Sequence, residues 1–444
     1  MIPLLISLTA HAAPLTAWRS GAGTSLYGIH DLTVARDTFD GWQTLASGPQ
    51  LGGGGAVVAL PLDGAPGFWA APQTLIHSTS DGFGRAIGVA DFDGDGLQDL
   101  VVTRASPYGG DGRIYLFRGG AHTWPAVEAE ADLTIDGDVP DGGLGMVMAV
   151  LPDMTGDGLP DLAVQQPRRA QRAAGAGYLA DLASVWLLSP ASLSGTTRID
   201  RVPGAIRYDG GPDERLGLSL TWSDDADGDG LRELVTAEIS PGPTMHAAVQ
   251  LSSRRRPVQD GRSGAARLVG AATTTGIDGE LATADLDGDG RNELILGAPG
   301  RDPFGAIGVE GALYIVPGGL ALRVGDVFSL AGNAPTLWIP DHSYLGAQLK
   351  PVRDLDGDGA DELAAVAVDA VTGGLTTLLI PGRAVPLRPG LHVPQAVRLS
   401  STAALRHSGA IAAGDADGDG DGDLVLTAHG SGFDTEFAAV RFGR

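Results

Sequence analysis

One pattern returns six times along this chain and constrains it more than any other feature: D-x-D-G-D-G-x-x-[DE]-L. It reads DFDGDGLQDL from Asp91, DMTGDGLPDL from Asp153, DADGDGLREL from Asp225, DLDGDGRNEL from Asp285, DLDGDGADEL from Asp354 and DADGDGDGDL from Asp415. The starts are 62, 72, 60, 69 and 61 residues apart. A near-constant period of this size means an array of supersecondary units that share a continuous core. A seventh, degenerate copy, DTFDGWQTLASG, opens at Asp37, 54 residues before Asp91, and has lost most of its carboxylates.

The surroundings of the loops repeat as well. A Tyr, Phe or Leu stands before Gly upstream of five copies: Tyr27-Gly28, Phe83-Gly84, Leu144-Gly145, Leu216-Gly217 and Leu345-Gly346. Each full loop is followed by a short apolar run, such as Leu100-Val101-Val102 or Leu294-Ile295-Leu296. A second run comes after a gap, such as Arg113–Phe117 or Ala312–Val316, and then a third, such as Asp132–Ile135 or Thr197–Ile199. Runs this short, bounded by Gly, Pro and Asp, read as strands, and no stretch holds a helical period. Counting the strand that enters the acidic loop, each unit is a four-stranded antiparallel sheet. Radial repetition of such sheets is how propellers deal with exposed edges. The expectation is an all-β, seven-bladed β-propeller over residues 13–444, with blade loops near 37, 91, 153, 225, 285, 354 and 415.

Carboxylates at positions 1, 3 and 5 of a tight turn converge, and Gly at positions 4 and 6 supplies the backbone angles the turn needs. Position 7 offers a carbonyl, and the acid at position 9 closes the cage. Dense, hard oxygen ligands on a flexible ring suit Ca²⁺ better than Mg²⁺. The expected ligands are Asp91, Asp93, Asp95, Leu97 and Asp99; Asp153, Thr155, Asp157, Leu159 and Asp161; and Asp225, Asp227, Asp229, Leu231 and Glu233. The later loops offer Asp285, Asp287, Asp289, Arg291 and Glu293; Asp354, Asp356, Asp358, Ala360 and Glu362; and Asp415, Asp417, Asp419, Asp421 and Asp423. That is about six calcium ions, with none at the Asp37 copy. The EF-hand is excluded, since position 12 falls in a strand at Val102, Thr236 or Leu296. Of the chain's 54 acids, 23 stand at ligand positions 1, 3, 5 and 9, so without metal each loop is strongly self-repulsive.

The Phe-Gly pair, the D-x-D-G-D-G loop and Gly297-Ala298-Pro299 resemble FG-GAP repeats, the blades of the integrin α-chain N-terminal β-propeller and of many secreted bacterial proteins. The resemblance implies seven blades, with calcium in the loops joining the first two strands at the lower face. It implies ligand binding on the upper face.

Composition narrows the function. A formal charge of −24 argues against nucleic acid, because phosphate neutralisation needs clustered cations. No apolar run approaches the roughly 20 residues that span a bilayer. With Cys 0, thiol chemistry and Cys-ligated zinc are removed. The nine histidines form no H-E-x-x-H, and no G-x-S-x-G elbow is present. No catalytic residue or organic cofactor is therefore assigned. The expectation is a secreted or extracytoplasmic monomer, at the cell surface or in the periplasm, that recognises a protein or glycan. The alternative is a hydrolase or lyase using the central funnel.

Met1 to Ala12, ending Ala10-His11-Ala12, reads as a signal peptide with an A-x-A cleavage pattern. Two basic stretches stand out: Gln165 to Ala180, with Arg168, Arg169, Arg172 and Tyr178, and Arg254-Arg255-Arg256 with Arg262 and Arg267. The first reads as a long loop on the upper face, the second as a loop on the calcium side. The last repeat is one strand short, while residues 14–18 are surplus at the start. The two ends are expected to pair, 14–18 with 437–441.

Overall fold

Apolar runs uninterrupted by polar residues make strands that must be covered on both faces. The computed structural model describes residues 16–19, 31–37, 41–49, 54–61, 73–106, 110–120, 126–169, 181–210, 215–226, 228, 230–240, 246–252, 265–269, 279–299, 311–321, 326–330, 333–339, 342–355, 357–369, 375–392, 394, 396–399, 406–414, 423–429 and 435–440. These residues are all-β apart from three short 3-10 segments, and their strands hydrogen-bond into seven sheets. In chain order the first strands of the sheets are Asp31–Asp37, Phe83–Ala90, Met148–Leu151, Arg215–Ser223, Leu281–Ala284, His342–Val352 and Arg406–Gly414. Each first strand lies against that of the next sheet, and Arg406–Gly414 lies against Asp31–Asp37. The arrangement is a β-propeller.

The core sits between sheets, and the two-residue period of each strand divides it. In Asp99–Arg104, Leu100 and Val102 pack with Leu45, Val57 and Ile76 of the sheet before. Val101 packs with Leu162, Val164 and Trp186 of the sheet after. In Glu362–Asp369, Leu363 and Ala365 face Ile295 and Leu313, while Ala364 and Val366 face Ile411 and Leu424. A one-residue slip would exchange the two faces, so the register is tightly specified.

The Phe-Gly or Leu-Gly pair stands at a bulge before three of the full loops, those starting at Asp91, Asp225 and Asp354. Gly84, Gly145, Gly217 and Gly346 have φ of +76°, +93°, +80° and +95°, a region that favours glycine. The ladders slip between Phe83 and Ile87, between Leu216 and Leu220, and between Ser343 and Gln348. The preceding Phe83, Leu144, Leu216 and Leu345 are buried. The ladder starting at Arg406 also slips, between His407 and Ile411, where no Phe or Leu announces it.

Several expectations need correction. Three sheets have five strands rather than four. Gly195–Arg198, Val327–Ser329 and Gly390–His392 run parallel to Leu133–Asp136, Ala265–Val269 and Pro335–Leu337, the outer strands of the preceding sheets. The run Thr197–Ile199 is thus not the outer strand of its own sheet; Ile206–Asp209 holds that place. The reason is physical: an outer strand presents unpaired N–H and C=O groups, and a passing connection covers them.

Gln165 to Arg169, read as loop, continue the strand Asp161–Arg169. Gln165 donates from Nε2 to the Leu216 carbonyl (2.8 Å), and Gln166 Oε1 accepts from Trp186 Nε1 (2.9 Å), so both polar side chains are buried with partners. Arg267 lies in the strand Ala265–Val269, its Nη2 donating to the buried Glu238 at 2.5 Å.

The chain ends do pair. Thr16–Arg19 runs antiparallel to Thr435–Val440, with Thr16 opposite Ala439 and Arg19 opposite Glu436. Residues 1–12, Tyr27-Gly28, Arg172, Tyr178, Arg254-Arg255-Arg256 and Arg262 lie outside the described residues, as do residues 14, 15 and 441 of the expected end strands.

Candidate metal centre

The acidic loops join first and second strands, and the acid at position 9 is the first residue of the second strand in all six sheets that carry one. These are Asp99, Asp161, Glu233, Glu293, Glu362 and Asp423. The turn itself is glycine-dependent. Gly94, Gly96, Gly156, Gly158, Gly228, Gly230, Gly288, Gly290, Gly357 and Gly359 all have φ between +73° and +89°.

The backbone winds around position 1. Asp91 Oδ1 accepts from the Gly94 and Asp95 N–H groups (2.7 and 3.1 Å), and Oδ2 accepts from Gly96 (2.9 Å). Asp285 accepts from Gly288, Asp289 and Gly290 in the same way (2.8, 3.1 and 2.9 Å), and Asp153 from Gly156, Asp157 and Gly158. At position 5, Asp95, Asp157, Asp289 and Asp358 each accept from the N–H two residues on.

Position 9 is different because it is buried. The N–H of position 2 donates to it in every described loop: Phe92 to Asp99 (3.0 Å), Met154 to Asp161 (2.6 Å), Ala226 to Glu233 (2.7 Å), Leu286 to Glu293 (2.8 Å) and Leu355 to Glu362 (2.6 Å). The other oxygens of Asp99 and Glu293 accept from Gly119 (2.8 Å) and Gly318 (3.0 Å), which follow the third strands. Burial pushes Asp99 and Asp161 up to about 6 and Glu293 up to about 7, against the downward pull of these N–H groups. A cation beside such a carboxyl would favour its charged form.

Among the described residues, the acids of two loops converge closely. One carboxylate oxygen from each of Asp91, Asp93 and Asp99 lies within 4.8 Å of the others, and so do oxygens from Asp285, Asp287 and Asp289. The donor set is all oxygen, flexible and multiply charged, which fits a hard divalent cation. Asp227, Asp229, Asp356, Asp415, Asp417, Asp419 and Asp421 lie outside the described residues, and Asp423 is described for its backbone only. In the degenerate copy, Asp37 pairs with Gly41, so three residues separate the two strands and Trp42 is already in the second. A nine-residue cage has no room there.

The structure adds residues that spacing did not reveal. Arg118 Nη1 donates to Asp93 Oδ2 at 2.6 Å, Ser189 to Asp157 at 2.5 Å, and Arg383 Nε lies 3.4 Å from Asp358. Neighbouring loops also touch. The Asp361 N–H donates to the Asp285 carbonyl (2.8 Å), and Asp361 Oδ2 accepts from the Asp285 N–H (3.1 Å). Asn292 donates from its N–H and Nδ2 to Asp224 Oδ2 (2.8 and 3.1 Å). Asp361 and Asn292 both hold position 8, one of the three variable positions of the loop pattern.

Comparison with known proteins agrees with this geometry. The FG-GAP repeat model matches residues 83–117 and 279–316, in each case from the start of the first strand, or just before it, to the end of the third. Integrin alpha-7 of Homo sapiens is 34% identical over 131 residues, covering 28% of this chain and 10% of that protein. Integrin alpha-7 of Mus musculus matches at 34% over the same length, and that of Rattus norvegicus at 33%. The chain spans about a tenth of the length of these relatives.

Proposed function

Because the chain is an FG-GAP repeat protein with integrin α similarity, we propose that it is an exported, calcium-stabilised recognition or adhesion module built as one seven-bladed propeller over residues 13–444. The blade number is supported by the seven sheets and by the unbroken circuit of contacts between their first strands. It is supported too by the pairing of Thr16–Arg19 with the strand near the other end. Residues 1–12 act as the export signal, and the mature protein works outside the cytoplasm. No helix among the described residues is long and apolar enough to cross a membrane.

The observation that carries the calcium reading is the convergence of carboxylates around glycine-dependent turns, repeated at one place in the fold. In the Asp91 loop Asp91, Asp93, Asp95 and Asp99 with the Leu97 carbonyl would hold the ion, and the Asp285 loop offers the matching set. Bound calcium supplies charge neutralisation and fixes the turn. The chain's own residues do the rest: the glycines set the turn, and the position-9 acid anchors it to the second strand. Recognition is assigned to the opposite rim, where second-to-third and fourth-to-first connections meet. Binding loops on a rigid scaffold are a common division of labour. The ligand class is a protein or a glycan, bound by a monomer without catalysis.

Metal analysis of the dialysed protein should find about six calcium ions per chain, and EDTA should lower the melting midpoint. A chain that retains no calcium and melts identically in both conditions would remove the calcium reading. A glycan array and a cell-surface protein panel, each run with and without EDTA, test recognition separately.

A further inference from the structure

Arg118 follows the third strand Arg113–Phe117 and reaches the first acidic loop from outside it. Its Nη1 lies 2.6 Å from Asp93 Oδ2 and 3.9 Å from Asp99 Oδ2. Its Nη2 donates to three carbonyls of the next sheet's connection: Pro190 (3.4 Å), Ala191 (3.0 Å) and Leu193 (3.1 Å). The guanidinium is therefore held by neutral acceptors on one side and by two ligand positions on the other. It cannot swing away without losing three hydrogen bonds, which a compact ammonium could not make in that fork geometry.

The same place can be located in other sheets. Gly119 donates to Asp99 as Gly318 does to Glu293, so Arg118 corresponds to Pro317. In the sheet of the Asp153 loop, Ser189 follows the third strand. Among the described residues, no ion pair reaches Asp285, Asp287 or Asp289: the loop's own Arg291 lies against Gly319, and Arg383 pairs with Asp358.

We infer that Arg118 is a built-in counter-cation of the Asp91 loop and sets its calcium affinity below that of the Asp285 loop. This rests on the calcium reading above. By count the Asp91 loop with Arg118 and the Asp285 loop with Arg291 each carry −3; what distinguishes them is that Arg118 is paired with ligand oxygens. An incoming divalent ion must share Asp93 with a fixed positive charge, and like charges that close repel even in a wet site. Arg118 also keeps the loop folded and tied to the next sheet when no ion is present.

The test uses the full chain. Calorimetric calcium titrations compare the wild type with Arg118→Gln and Arg118→Lys, each alone and combined with Asp95→Ala, which removes an exposed ligand of the same loop. Arg118→Gln should tighten one site by about tenfold, corresponding to about 1.4 kcal/mol. Arg118→Lys, which keeps a charge, should leave it weak, and the Gln effect should vanish with Asp95→Ala. Hydrogen exchange on the wild type gives a readout free of any variant: Gly94 and Gly96 amides should become protected at higher calcium than Gly288 and Gly290. A Gln variant with unchanged or weaker binding, or simultaneous protection of the two loops, would overturn the inference while leaving the calcium reading intact. A wild type that takes up no calcium would remove both.

Discussion

The Asp91 and Asp285 loops have the same spelling at every acidic position except the ninth, and in both the carboxylates converge. They differ in what surrounds them. The Asp91 loop is neutralised in part by Arg118 and tied through it to carbonyls of the next sheet. In the Asp285 loop, among the described residues, no cation pairs with Asp285, Asp287 or Asp289, and the loop is instead clasped by hydrogen bonds to the N–H and carboxylate of Asp361 in the next acidic loop. An equivalent clasp on Asp91 is impossible, because position 8 of the Asp153 loop is Pro160, which has no N–H to give. Two loops with one ligand pattern therefore have different dependence on metal: in one a guanidinium already pairs with the ligand acids, and the other leans on a neighbour that also needs an ion.

Calcium removal should produce the largest effect and divide the molecule along this line. A ligand confined to the folded state contributes about 2.7 kcal/mol per site at a hundredfold excess over Kd. Asp285→Ala should abolish a larger share of the calcium-dependent shift in melting midpoint than Asp95→Ala. Thermal melts of both variants in millimolar calcium and in EDTA measure it. Equal shares would erase the distinction between the loops.

The clasp itself should matter less. Asp361→Ala removes the acceptor for the Asp285 N–H but keeps the Asp361 N–H, so the loss is about 1–2 kcal/mol. Its calcium titration should show weaker binding at the Asp285 loop and an unchanged Asp91 loop, whereas Asp361→Asn, which keeps an acceptor oxygen, should behave as the wild type. Weakening spread evenly over all sites would point to general destabilisation instead.

The period, the glycine positions and the acids were legible because each repeats, and repetition turns a local preference into a pattern. Leu100-Val101-Val102 read correctly as a strand since both its faces are covered. Arg118 was not legible: the matching place holds Ser189 and Pro317 elsewhere, so no spacing marks it. The parallel fifth strands were hidden for another reason. Gly195–Arg198 is a polar, mostly exposed segment that pairs through its backbone with Leu133–Asp136, and backbone pairing leaves little trace in side-chain pattern. Gln165 and Gln166 misled in the opposite direction, because buried amides with partners look like loop residues in a sequence.

The smallest effect concerns the loop that lacks a carboxylate. Thr155 donates from Oγ1 to Asp161 Oδ1 (3.0 Å), and its N–H donates to Asp161 Oδ2 (2.6 Å), so the ninth acid is already engaged by the third position. Thr155→Asp would restore the spelling of the other loops and raise the negative charge by one. It would also delete the hydroxyl bond and set two carboxylates against each other, with the buried Asp161 already pushed up to about 6. In EDTA the variant should therefore be less stable by about 1 kcal/mol, the usual size of one lost hydrogen bond. In calcium the added ligand should offset that loss, leaving the midpoint close to wild type and one site tighter. If the set of ligand side chains alone governed affinity, the Thr155→Asp site would match the Asp285 loop; if the next loop's clasp contributes, it would stay weaker. A calorimetric titration of the variant beside Asp361→Ala distinguishes the two, since only the second outcome makes the neighbour part of the site.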